Sequence, residues 1–251
     1  MPFFGISAII QLVCIIHAIR TGRNSYWIMI ILFLPLLGAA AYVVMEVAPA
    51  YQGNRHVRTA RAKVASALDP EREVRAARDA LEIAETVANR IRLADALATL
   101  GRYGEALPLY QDALRKTPVG DRAISAKLAR ALFEEGAFVE ALALIDTIEP
   151  PRAQGELDRL ALLRARVLAE LGRKEEALAL YADIVTRVAG EEARCRYAAL
   201  LIDTGHKARA LSVLEEVEAR MKRLDRQQRA VEADMYAWAT ETLRKMRADR
   251  G

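Results

Sequence analysis

Cysteine is scarce: the chain of 251 residues has two, Cys14 in an apolar run and Cys195 in a helical segment. They fall in different environments, which argues against a disulfide, and no CxxC or Cys/His cluster suggests zinc. Aromatic residues make up only 6%, and the 8 prolines and 13 glycines are confined to a few punctuation points. No stretch alternates apolar and polar residues between turn signals, so nothing argues for strands. The usual catalytic signatures are missing: there is no P-loop, no GxGxxG after a strand, no GxSxG and no HExxH. His17, His56 and His206 fit a span end, a basic linker and an interhelix turn. Glu175-Glu176 and Glu191-Glu192 read as solvated helix starts, where acids suit the helix dipole. No acid, base, nucleophile and metal set is present, so neither an enzyme nor a bound cofactor is expected.

What is abundant is alanine, leucine, glutamate and arginine, all helix formers. The expectation is an all-α protein. The 37 basic and 33 acidic residues nearly cancel, to +4, and do not cluster as a nucleic-acid partner would require. They are also unevenly placed. Residues 1–48 carry only Arg20, Arg23 and Glu46.

That charge-poor stretch predicts a transmembrane hairpin over 1–48, with spans at 3–19 and 26–48. A helix crosses a bilayer with about 20 apolar residues. The turn between the spans, Arg20 to Ser25, is polar, and Tyr26 and Trp27 at its edge suit the water interface. A single span with an interfacial 3–19 segment and a cleaved signal peptide are the alternatives. Trp27, Pro35, Gly38 and Tyr42, in YWIMIILFLPLLGAAAYVV, resemble the N-terminal membrane domain found ahead of phospholipase D-type cardiolipin synthases. That resemblance implies a paired-helix anchor and a bacterial inner membrane. It does not bring the enzyme, whose HxKxxxxD motif is absent. Arg55, Arg58, Arg61 and Lys63 follow the second span before any acid, against Arg20 and Arg23 in the turn. The larger group favours a cytoplasmic repeat domain, and the smaller argues the other way. A basic linker helix over 49–69 is expected next, suited to anionic lipid or simply solvated.

The remainder repeats. Gly101, Gly136, Gly172 and Gly205 align four segments. Five past each glycine stands Ala106, Ala141, Ala177 or Ala210, and nine past stands Tyr110, Ile145, Tyr181 or Leu214. Seven before each stands Ala94, Ala129, Ala165 or Ala198, and four before stands Leu97, Leu132, Leu168 or Leu201. Such positions form stripes on two antiparallel helices that approach closely at alanine. The first segment, GRYGEALPLYQDALRKTP from Gly101 to Pro118, resembles the second half of the tetratricopeptide repeat (TPR). Lys174, Lys207 and Arg209 depart from that pattern, and Pro108 lies inside a helix near its start. The resemblance implies a right-handed TPR α-solenoid over 70–248, with repeats at about 87–120, 122–155, 158–190 and 191–222. A helix over 70–85 would precede them, capped by Asp69. A helix over 226–247 would close the array, with Val231, Met235, Trp238, Ala239 and Leu243 inward.

The TPR resemblance also implies a concave groove lined by the first helices. Position by position it falls on Ile91, Asp95, Ala126, Arg130, Phe133, Leu162, Arg166, Cys195, Ala199 and Ile202. Arg130 and Arg166 are equivalent in neighbouring repeats and could together receive a partner's carboxylate; the alternative is pairing with Glu134 and Glu170. The Lys and Asn positions of a C-terminal carboxylate clamp are not filled. The function expected is a non-catalytic, membrane-anchored scaffold or assembly factor with a protein partner. A periplasm-facing chaperone-like adaptor and an accessory subunit of a phospholipid or envelope-synthesis enzyme are the alternatives.

Overall fold

The structure, a computed structural model, describes residues 2–21, 26–47, 68–117 and 121–249. Most of the expected linker helix, with His56 and Arg55 to Lys63, lies outside the described residues, as do Arg23 and Pro118. Among the described residues there is no strand. The chain divides into two compact units, Met1–Arg72 and Glu73–Gly251.

The first unit holds α1 (Pro2–Arg20), α2 (Tyr26–Phe33) and α3 (Pro35–Tyr42), followed by a π-helical stretch over Val43–Val47. The expected span 26–48 is not one helix. A straight helix would separate residues 27 and 46 by about 28 Å at ~1.5 Å per residue. Instead the Trp27 indole Nε1 donates to the Glu46 carboxylate at 3.1 Å, and the Trp27 and Tyr42 rings lie 5.5 Å apart. The chain folds back at Leu34, whose φ of −125° and ψ of 77° leave the helical region ahead of Pro35. Among the described residues no helix is long and apolar enough to cross a membrane.

The second unit begins with α4 (Arg72–Ile83) and continues as four helix pairs. These are α5 (Val87–Thr99) with α6 (Tyr103–Arg115), and α7 (Arg122–Glu134) with α8 (Phe138–Thr147). Then follow α9 (Gln154–Glu170) with α10 (Lys174–Ile184), and α11 (Glu192–Asp203) with α12 (Lys207–Arg223). All four turns are built alike. Each glycine takes positive φ, between 74° at Gly101 and 81° at Gly205. The next residue's N–H then bonds the carbonyl five residues back: Arg102 to Leu97, Ala137 to Leu132, Arg173 to Leu168 and His206 to Leu201, at 3.0, 2.9, 2.9 and 2.7 Å. This Schellman closure satisfies carbonyls that the helix end would orphan, and an L-residue with a Cβ adopts it poorly.

The eight alanines of the repeat pattern are all fully buried. Their small side chains let the paired backbones approach, and Tyr110, Ile145, Tyr181 and Leu214 fill the space towards the next pair. Burying a side chain of that size contributes about 1.5–3 kcal/mol. Pro108 sits inside α6 without ending it.

The array's end differs from expectation. Its last segment is two helices, α13 (Arg226–Val231) and α14 (Ala233–Ala248), broken at Glu232. Of the residues expected inward, Ala239 and Leu243 are buried and Met235 packs against the core. Tyr236 is buried too, whereas Val231 is exposed and Trp238 partly so. Nor is Glu191 a solvated helix start: only 2% exposed, it meets the Arg220 Nε at 2.7 Å and the Arg194 guanidinium at 3.4 Å. Its own N–H donates to the Glu232 carboxylate at 3.0 Å, so α11, α12 and the α13–α14 break are tied at one point.

Candidate functional site

The first helices α5, α7, α9 and α11 are joined in sequence by ion pairs, which places them side by side on one face. Lys127 of α7 reaches Asp95 of α5 at 2.6 Å. Arg166 of α9 reaches Glu134 of α7 at 3.2 Å and Glu192 of α11 at 3.6 Å. Of the expected groove residues, Asp95 and Arg166 take part in these pairs, and the others divide into different roles.

Around α5–α7 the face opens into a cleft of about 310 Å³, lined by Asp95, Ala98, Thr99, Tyr103, Tyr110, Lys127, Arg130 and Ala131. Asp95 is its polar centre: one oxygen accepts from the Tyr110 hydroxyl at 2.7 Å, the other from the Lys127 ammonium. Burial and, next, the Asp95 carboxylate push the Tyr110 phenol well above its ordinary range. Arg130 is different. Its side chain is 64% exposed, and its Nε is 3.9 Å from Glu134, at the limit of an ion pair.

Arg166 does not join Arg130 as a second receptor for a partner's carboxylate. It is 14% exposed, its guanidinium lies 4.3 Å above the centre of the Phe133 ring, and its Nε is buried without a hydrogen-bond partner among the described residues. The same Glu134 oxygen faces both arginines, at 3.2 Å from Arg166 and 3.9 Å from Arg130. The carboxylate that the arginine pair was expected to receive is supplied by the chain itself. Phe133 is buried beneath Arg166, and Ile91, Leu162 and Ile202 pack partly into the core clusters. Of the apolar candidates, Ala199 is exposed. Cys195 leaves the set: it is buried against α14, its thiol 3.7 Å from the Met235 carbonyl. Burial there, reinforced by Glu191, pushes the thiol up to about 12.

Lys127, Tyr103 and Thr99 were not anticipated. A signal for the first existed: Lys127 follows Asp95, and Arg166 follows Glu134, by 32 residues. Opposite charges about one helical turn short of a full repeat mark first helices lying side by side. Among the described residues no group of three His, Cys, Asp or Glu side chains could hold a metal ion.

The stacked helix pairs define an α-solenoid. A tetratricopeptide-repeat family model matches residues 97–160, and the same glycine turn recurs outside that range at Gly172 and Gly205. Solved structures are similar to this chain, and two of them are described as TPR proteins. YrrB, described as a TPR protein with an unusual peptide-binding site, is 19% identical, with a TM-score of 0.46 over 68% of this chain and 86% of its own. BtubC (BKLC) from P. vanneervenii is 20% identical, with a TM-score of 0.49 over 72% and 85%. A thermophilic TPR protein of Thermus thermophilus is 21% identical, with a TM-score of 0.41 over 63% and 99%. No curated protein matches the chain.

Proposed function

We propose that this chain is a non-catalytic scaffold, tethered by its N-terminal unit to a bacterial inner membrane, whose repeat array holds a protein partner. The observation that carries the reading is the cleft beside Arg130. Its other charged groups, Asp95 and Lys127, are engaged with each other, while the Arg130 guanidinium stands exposed at the rim beside Tyr103. An arginine placed so receives a carboxylate through paired N–H donors, and the tyrosine face adds apolar contact. The partner is therefore a segment with an acidic side chain next to an apolar one. The tether is supported by the first unit's surface, where Leu12, Ile19, Met29 and Leu32 are exposed. So many exposed large apolar side chains on a small unit mark an interaction surface.

The test places a photo-crosslinking side chain at Thr99 in the cleft, and at the exposed Glu140 of a second helix, in the full chain in its membrane. A partner captured from Thr99, not from Glu140, and lost on Arg130→Glu supports the reading. Capture that is equal from both positions, or that survives the charge reversal, overturns it.

A further inference from the structure

The geometry points to a re-entrant hairpin: α2 and α3 enter one leaflet of a lipid bilayer and return to the side they came from. This rests on the membrane tether proposed above and replaces its second span.

Four residues make the fold-back. Pro35 supplies the corner after Leu34. Gly38 lets α3 lie against α2, since a Cβ there would overlap the Ile30 carbonyl, 2.8 Å from its carbon, and meet the Ile31 Cα at 3.0 Å. Trp27 and Tyr42 close the open end. Each helix has 8 residues. That is a length of about 12 Å, close to half of a ~30 Å hydrocarbon core.

The hydrogen bonds are those that lipid demands. In a helix the Ile31 carbonyl would accept from residue 35, but that residue is proline and has no N–H. The Gln11 amide of α1 donates to this carbonyl instead, at 2.8 Å. His17 and the Tyr42 hydroxyl meet at 2.9 Å, also inside the unit. Polar atoms thus point inward and are satisfied, while the hairpin tip presents Phe33, 75% exposed, and Leu37, 73% exposed, outward. A water-facing unit would be arranged the other way round. The polar ends coincide: Arg20 closes α1, and Glu46 lies beside Trp27.

The arrangement also resolves the charge pattern. With a spanning second helix, Arg20 and Arg23 would oppose Arg55, Arg58, Arg61 and Lys63 across the bilayer. With a re-entrant hairpin all six basic residues fall on one side, as the positive-inside tendency favours, and complement anionic headgroups there.

The experiment labels single cysteines with a membrane-impermeant maleimide in sealed right-side-out and inverted vesicles. The positions are Thr21 and Leu68, both exposed, in the full chain carrying Cys14→Ala and Cys195→Ala. Thr21→Cys and Leu68→Cys should be labelled in the same vesicle preparation and protected in the other. Labelling in opposite preparations restores the spanning helix and overturns the inference while leaving the tether intact. Release of the protein by alkaline carbonate overturns the tether itself and the inference with it.

Discussion

Replacing Glu191 by glutamine keeps the side chain's size and removes its charge from the point where the array's last elements meet. Arg220 can turn to water, its side chain being 46% exposed. Arg194 cannot: its side chain is 4% exposed, and once the Glu191 charge is gone its charged partner among the described residues is Glu216 at 3.4 Å, with the Gly190 carbonyl at 3.1 Å. Leaving a buried charge wholly unpaired costs about 3–5 kcal/mol; with Glu216 still facing Arg194, the expected loss is about 2–3 kcal/mol. In a repeat array the loss is local, because each pair contacts only its neighbours. Hydrogen exchange measured by mass spectrometry reads it directly. Amides of α11, α12 and α14 should exchange roughly 30- to 140-fold faster, at tenfold per ~1.4 kcal/mol, while those of α6 and α7 stay unchanged. Replacing Glu191 and Arg194 together by leucine should recover most of the loss. An acceleration under about threefold, or one spread evenly over the array, would refute the reasoning.

Gly136→Ala should cost about 1–2 kcal/mol in a urea titration, because φ is 80° there and open space around the Cβ offers no relief from the backbone strain. Gly155→Ala, helical and equally open, should be neutral or stabilising by up to ~1 kcal/mol. If the two behave alike, the turn argument fails. Cys195 should resist alkylation at pH 8 until the chain is unfolded, since burial holds its thiol at about 12. Its folded value is raised from 9.0, so the stabilisation is present below pH 9 and fades as pH climbs towards 12. Stability measured across that range should fall less in Cys195→Ala, and an identical slope would contradict the burial assignment.

The repeat array was legible because its signals are local and periodic. Glycine at a positive φ, leucine four residues before it and alanine on both flanks specify one turn and one close approach, whatever surrounds them. The groove was less legible. Helical position put Arg130 and Arg166 on one face, but position says nothing of Phe133 beneath Arg166 or of Glu134 between the two arginines. Val231 was misplaced for a related reason: the helix breaks at Glu232, and the Glu191 whose N–H holds that break looks like any other helix-start glutamate in the sequence.

In the first unit the apolar count was right and its geometry was not. Sequence by itself determined that residues 26–47 are strongly apolar, because composition is read directly from the chain. Only the tertiary structure decided that they turn back on themselves. That outcome depends on contacts between residues far apart along the chain, Gly38 on Ile30, Trp27 on Tyr42 and Gln11 on the Ile31 carbonyl. A spanning helix and a folded hairpin are built from the same apolar residues, and hydropathy does not distinguish them.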